Sequence, residues 1–130
     1  MTATRASRAC AYRRGAAEYE AAVRVLRATG WTVYRLSQAR ASRQTPGLPD
    51  LWAFHPVLRL ELTVEVKSGA GRPTPEQEEF AQFRALCQRD HVIGGRDAVL
   101  DYLARHGLAR RVSGPAGWVL MPPRIVAPRS

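Results

Sequence analysis

The chain has 130 residues, a length that fits one ordinary domain with a real hydrophobic core and does not require a second domain. Its 20 Lys and Arg against 11 Asp and Glu give a net charge of +9, which favours a polyanionic partner such as nucleic acid over a membrane. No apolar run approaches the ~20 residues of a membrane span, and the Arg-rich start lacks the apolar core of a signal peptide. We therefore expect an intracellular, cytoplasmic protein. The two cysteines stand far apart without metal-ligand spacing, so neither a zinc site nor a disulfide framework is indicated.

The first predicted element after a basic N-terminal arm (residues 1–14) is a helix. In "GAAEYEAAVRVLRATG" apolar residues recur at helical spacing, and Gly30 stands where a C-terminal cap belongs, which predicts a helix over residues 15–29. "WTVYRL" is rich in β-branched and aromatic residues and predicts a strand. The polar, basic segment "SQARASRQTPGLP" that follows predicts a loop, because proline and glycine interrupt it.

Two closely spaced strands come next. "DLWAF" begins at Asp50, the chain turns near His55 and Pro56, and a further strand is predicted over residues 58–67. Such a short connection favours an antiparallel pair.

The second half of the chain predicts helices on either side of a short strand. "PTPEQEEFAQFRALCQ" is typical of a helix with Thr74 as N-cap and Pro75 in the first turn. "HVI" predicts a strand, and "GGRDAVLDYLARHG" predicts a third helix with Leu100 and Leu103 facing inward. The order α-β-β-β-α-β-α indicates a single mixed α/β domain, followed by a C-terminal extension (residues 107–130) that forms either an extra strand or a docked tail.

Three charged residues stand in the otherwise apolar stretch "GLPDLWAFHPVLRLELTVEVKSG". Because strand side chains alternate, Glu65 and Lys67 share one face, and hairpin pairing can bring Asp50 beside Glu65. Two carboxylates at short distance repel each other, and a divalent cation between them relieves that cost. Mg²⁺ is the natural choice because it prefers hard oxygen ligands, and a neighbouring lysine can orient or deprotonate water.

A plainer interpretation makes Glu65 and Lys67 a solvated cross-strand pattern and Asp50 a turn residue after Pro49. Glu-x-Lys arises often by chance. A Pro-Asp about fifteen residues before apolar-Glu-apolar-Lys, in so basic a chain, is much rarer and favours the metal site.

These motifs resemble those of the PD-(D/E)XK nuclease superfamily, in "LPDLWAF" and "VEVKSG". Within the superfamily, "PGLPDL" and "GRPTPEQEEF" make the chain most similar to the virus-type replication-repair nucleases (VRR-NUC) and to archaeal-type Holliday junction resolvases. The resemblance covers about residues 15–104. It implies a restriction-endonuclease-like fold over residues 15–106, with an α-β-β-β-α-β core and a central mixed sheet flanked by helices.

The resemblance also implies a function. The expected activity is a Mg²⁺-dependent endonuclease, with Mn²⁺ as a substitute, that hydrolyses phosphodiester bonds of branched or structured DNA in repair or recombination in a host cell or a phage. The expected ion ligands are the carboxylates of Asp50 and Glu65, the carbonyl of Val66 and an acid on the first helix. For that acid "YEAAV" favours Glu20, and Glu18 is the rival.

Further residues follow from the same resemblance. Gln77 is expected near the metal and Lys67, although a helix-start residue without a partner is nearly as good an interpretation. The long basic loop before Asp50, rather than the resemblance, suggests Arg40, Ser42 and Arg43 as DNA contacts, although solvated loop charge is the plainer interpretation. Arg72 is also expected to contact DNA. A homodimer is expected, with the third helix and "GWVLM" as its surface, unless Trp118 closes the monomer's own core. Two alternatives stay open: a restriction- or recombination-type nuclease on duplex DNA, and an inactive relative that binds DNA.

Overall fold

The computed structural model describes residues 5–36, 45–115 and 117–122, with side chains described from Gly15 onward. The loop residues Arg40, Ser42 and Arg43 lie outside the described residues. The elements in chain order are α1 (Arg5–Ala28), β1 (Thr32–Arg35), β2 (Leu51–His55), β3 (Leu60–Val66), α2 (Pro75–Leu86), β4 (Asp90–Gly94), α3 (Arg96–Arg105), β5 (Ala109–Arg111) and β6 (Trp118–Leu120).

The central sheet has four strands in the order β1-β2-β3-β4. The β1–β2 and β2–β3 pairs are antiparallel, which confirms the predicted hairpin. The β3–β4 pair is parallel, with α2 as the crossover between them. The predicted α/β class, element order and mixed sheet are confirmed.

One face of the sheet carries the hydrophobic core beneath α1 and α3. Alternation along β2 and β3 places Leu51 and Ala53 opposite Val64 and Leu62, and all four are fully buried. From α3, Leu100 and Leu103 are also fully buried, as predicted. The remaining members of the core are Ala22, Val23, Val25, Leu26, Trp31, Val92, Val99, Tyr102, Leu108 and Ala109.

The opposite face is covered over β3 and β4 by α2. Thr74 caps α2 as predicted: its hydroxyl accepts from the Gln77 N–H, while the Gln77 side chain accepts from the Thr74 N–H. The Phe80 ring of α2 meets His91 of β4 edge-on at 5.3 Å between centroids. This capped start fixes Gln77 at the end of the sheet where β3 ends.

Two elements depart from the sequence expectation. Helix α1 begins at Arg5, ten residues earlier than predicted, because "RASRACAYRRGAAEYE" consists largely of residues with good helix propensity. The C-terminal extension forms an antiparallel pair, β5 with β6, so the extra-strand alternative is the observed one over the described part of it. Trp118 and Leu120 pack against the monomer's own core. None of the described helices is long and apolar enough to cross a membrane.

Candidate active site

Asp50 is fixed at the start of β2 by three hydrogen bonds. Its N–H donates to the Val64 carbonyl at 3.0 Å, and its carbonyl accepts from the Leu36 N–H at 2.8 Å. Its carboxylate oxygen Oδ2 accepts from the Val66 N–H at 2.8 Å. The side chain therefore lies across the end of β3, next to Glu65.

Glu65 is a buried carboxyl group, with only 4% of the residue exposed. Its Oε1 accepts from Gln77 Nε2 at 2.8 Å, whereas its buried Oε2 has no hydrogen-bond partner. Burial raises the pKa of Glu65 to about 8, and the adjacent Asp50 contributes to the rise through its charge and by accepting a hydrogen bond from Glu65 once Glu65 is protonated, against the opposing charge of Lys67. The interpretation of Glu65 as part of a solvated surface pattern is therefore wrong.

The carboxylate pair fits a divalent cation. An unpartnered buried oxygen is rare in a folded protein, and a cation beside Glu65 and Asp50 would satisfy it while removing the mutual repulsion. Among the described residues, no group of three or more His, Cys, Asp or Glu side chains could hold a metal. An ion here would thus depend on two carboxylates, a backbone carbonyl and water, a sparse ligand set that suits Mg²⁺.

The Val66 carbonyl is the available backbone ligand. The Val66 N–H points to the β2 side of β3, towards Asp50. In an extended strand the N–H and C=O of one residue face the same neighbour, so the Val66 carbonyl also lies on the Asp50 side, past the start of β2.

Lys67 follows the strand and stands beside the carboxylates. Its backbone N–H donates to the Gly94 carbonyl at 3.1 Å, which continues the β3–β4 pairing. Its ammonium Nζ lies 3.8 Å from Glu65 Oε1, with 22% of the side chain exposed. The amine is therefore within reach both of the buried carboxylate and of a molecule entering from solvent.

The first-helix acids are separated by the fold. Glu20 is half-exposed and forms an ion pair with Arg35, with oxygen–nitrogen distances of 2.5 and 3.1 Å. These hydrogen bonds lower the pKa of Glu20. The structure does not bring Glu20 to the carboxylate pair.

Glu18 takes the position beside the lysine. Its Oε2 accepts from the Arg96 N–H at 2.7 Å, at the start of α3. Gly95 lies between Glu18 and the Lys67 carbonyl, and a Cβ there would collide with Glu18 Oε2 and lie 3.2 Å from the Lys67 carbonyl oxygen. Glu18 and Lys67 line the same 300 Å³ cavity. The sequence pattern favours Glu20, but it does not show that β1 supplies Arg35 as a partner for that acid.

Gln77 joins the helix cap to the site. Its Oε1 accepts from the Thr74 N–H at 2.9 Å, and its Nε2 donates to Glu65. The alternative of a helix-start residue without a partner is therefore wrong. Of the residues expected to contact DNA, only Arg72 lies within the described chain, where it is exposed.

One of three comparisons with known proteins finds a relative of similar fold. No family model matches the sequence, and no curated protein matches it. A solved structure described as a VRR_NUC domain is similar with a TM-score of 0.55 and 27% identity, over 72% of this chain and 96% of that chain. The chain is similar in fold to the VRR-NUC nucleases.

This likeness supports a nuclease of the PD-(D/E)XK type. In this VRR-NUC-like domain, Asp50 and Glu65 meet at the end of the β2–β3 hairpin, with Lys67 beside them. From α2, Gln77 donates to Glu65, and from α1, Glu18 lines a cavity together with Lys67.

Proposed function

We propose that this VRR-NUC-like protein is a divalent-metal-dependent endonuclease that hydrolyses DNA phosphodiester bonds at an active site formed by Asp50 and Glu65. The observation that carries the proposal is the unpartnered buried oxygen of Glu65 beside a second carboxylate. Folding around such a pair costs free energy, which a bound cation would offset.

The Asp50 and Glu65 carboxylates and the Val66 carbonyl would hold Mg²⁺, for which Mn²⁺ would substitute. A bound ion of this kind supplies an acidified water and neutralises charge on the scissile phosphate. Gln77 restrains the Glu65 carboxylate through a 2.8 Å hydrogen bond and so fixes the direction of one ligand.

Lys67 is proposed to act on the attacking water and on the phosphate. An ammonium group 3.8 Å from Glu65 can donate hydrogen bonds to an oxygen that gains negative charge as the bond to phosphorus breaks. We propose Glu18, rather than Glu20, as the third acid, because Glu18 lines the Lys67 cavity while Glu20 pairs with Arg35.

Affinity for DNA is proposed to come from the excess of 20 basic over 11 acidic residues. Contacts from arginines such as Arg72 to phosphates would position the strand without reading its sequence. We propose that the protein acts inside a host or phage-infected cell, on branched DNA in preference to linear duplex.

A homodimer is proposed as the active assembly, since symmetrical cutting of a branched molecule requires two sites related by a two-fold axis. The surface expected from sequence is unsuitable, because α3 directs its leucines into the core and Trp118 packs there too. Helix α2 instead exposes Phe83 and Leu86, at 56% and 79%. Both lie off the stripe of α2 that contacts the sheet, so α2 is the better candidate surface.

Cleavage of linear, flapped, splayed and four-way DNA with Mg²⁺, Mn²⁺ or EDTA tests the proposal. We expect cutting with either metal, none with EDTA, and the fastest turnover on a branched substrate. DNA binding without cutting under every metal condition would instead identify an inactive relative.

Light scattering at micromolar protein tests the assembly. The expected mass is about twice the 14.4 kDa of the chain, and Leu86→Glu should reduce it to that of one chain. Val119→Glu, at a position 40% exposed on β6, is the matched control and should leave the mass unchanged. A wild-type monomer would contradict the dimer without affecting the metal site.

A further inference from the structure

An exposed group of aromatic side chains lies on the same face of the sheet as the carboxylate pair. Tyr34 of β1 stands opposite Trp52 of β2, and Phe54 follows two residues later on β2. The Phe54 ring lies 5.9 Å from Tyr34 and 5.1 Å from Trp52 between centroids. Tyr34 is 54% exposed and Trp52 is 41% exposed. We call these three residues the aromatic shelf.

The shelf is adjacent to the proposed reaction centre. Because strand side chains alternate, Trp52 shares a face with Asp50, two residues earlier and about 7 Å away along β2. Trp52 also pairs in register with Thr63, which lies two residues before Glu65 and shares its face. Helix α2 covers β3 and β4 on this face but leaves the rings over β1 and β2 exposed.

The shelf is rigid. The Trp52 indole N–H donates to Glu61 Oε1 at 2.8 Å, and the same oxygen accepts from Arg84 Nη1 at 2.8 Å. Arg84 also donates to the Asp90 carbonyl at 2.7 Å. The ring plane of Trp52 is thus set before any ligand arrives, and the Glu61 charge beneath it is neutralised by Arg84, so a polyanion meets no unpaired charge from this acid.

The area of the shelf decides whether a second copy of the protein or the bases of DNA would bind there. Three aromatic side chains that are about half-exposed or less offer roughly 300 Å² of surface. A stable contact between two copies of a protein needs about 800 Å² from each partner. Planar bases need far less area, because each stacks on a single ring.

We propose that the aromatic shelf stacks unpaired bases of the DNA strand whose phosphate lies at Asp50 and Glu65. The inference rests on the proposed nuclease function and specifies its substrate as DNA with unpaired bases next to the cut. A base inside an intact duplex keeps its faces against its neighbours, so a branch point, gap or flap is needed to present one.

The test compares the DNA affinity of wild type and variants on two strands in EDTA, a binding cycle. Affinity is measured by the fluorescence anisotropy of a labelled 16-nucleotide single strand. Tyr34→Ala should weaken binding about 5- to 150-fold, the range for loss of stacking with one base. Tyr34→Phe keeps the ring and should bind like wild type. Val57→Ala, at a residue 56% exposed in the turn between β2 and β3, is the control and should have no effect.

A second strand of the same length with abasic central positions completes the cycle. Wild type and Tyr34→Ala should bind it equally, because the bases that the ring contacts are gone while the phosphates remain. An equal loss on both strands, or no loss on either, would overturn the proposal. A change from dimer to monomer in Tyr34→Ala with unchanged DNA affinity would assign the shelf to contact between copies.

The cycle separates this inference from the nuclease proposal because it needs no metal and no cleavage. If the binding cycle fails while metal-dependent cutting is intact, the base-stacking role of the shelf is refuted and the proposed active site stands. If the binding cycle succeeds in a protein that never cuts DNA, base stacking is supported and the proposed nuclease activity is refuted.

Discussion

Glu65→Gln should make the metal-free protein more stable while abolishing its activity. The wild-type carboxyl group is buried, has an unpartnered oxygen and stands next to Asp50, so its ionisation in the folded state is costly. Glutamine keeps the shape, can still accept from Gln77, and can donate from its amide to Asp50. The substitution therefore removes a charge that folding disfavours.

The magnitude and its pH window follow from the raised pKa of Glu65, about 8 against an ordinary value of 4.5. The folded protein holds this proton more tightly than the unfolded chain. The stabilisation of the folded state by the proton on Glu65 is therefore complete below pH 4.5 and is lost as the pH rises through 8. The loss amounts to roughly 3–5 kcal/mol. Since the glutamine does not titrate, the free energy of unfolding of the variant should exceed that of wild type by this amount at pH 8.5 and match it near pH 4.5.

Urea unfolding in EDTA across pH 4.5 to 9 measures this difference. Glu61→Gln is the matched control, because its carboxylate is stabilised: although burial raises the pKa of Glu61, hydrogen bonds from Trp52 and Arg84 lower it overall. That variant should be less stable than wild type at pH 8.5. Adding Mg²⁺ should stabilise wild type and leave Glu65→Gln unchanged. Parallel stability curves for wild type and Glu65→Gln would refute the reasoning.

Three further results are expected. Lys67→Ala should cut DNA at least ~100-fold more slowly while Mg²⁺ affinity by calorimetry stays near that of wild type, since an ammonium group is not a metal ligand; loss of metal binding would contradict this role. Glu18→Gln should slow single-turnover cleavage more than Glu20→Gln, and the reverse order would return the third acid to Glu20. Gly47→Ala should lower the free energy of unfolding by about 2 kcal/mol, because φ is +91° and a Cβ would lie 2.6 Å from the Glu76 carbonyl oxygen; unchanged urea unfolding would show that this contact relaxes freely.

The sequence predicted the features that depend on local pattern. Apolar residues that recur every 3.6 or every two residues predicted the helices, the β2–β3 hairpin and the buried leucines. Thr74 and Pro75 predicted the start of α2. Alternation along β2 and β3 also predicted that Asp50 and Glu65 lie on one face. The turn between the strands sets the hairpin register, which places them side by side.

The features that the sequence did not predict depend on partners distant in the chain. Glu18 and Glu20 have similar local patterns, and only the position of β1 and α3 gives one of them Arg35 and the other the Arg96 N–H. The burial of Glu65 depends on how α2 crosses the sheet. The early start of α1 reflects helix propensity acting in a segment with little apolar periodicity.

Single-turnover cleavage by wild type and Asp50→Asn is the most direct test of the metal site. Asparagine preserves the volume of Asp50 and can still accept from the Val66 N–H, so folding and DNA binding should persist. With Mg²⁺ on a branched substrate, we predict that the variant cuts at least ~1,000-fold more slowly than wild type and that EDTA reduces wild type to the same level. Equal rates for the two proteins, or wild-type cutting that survives EDTA, would contradict the account.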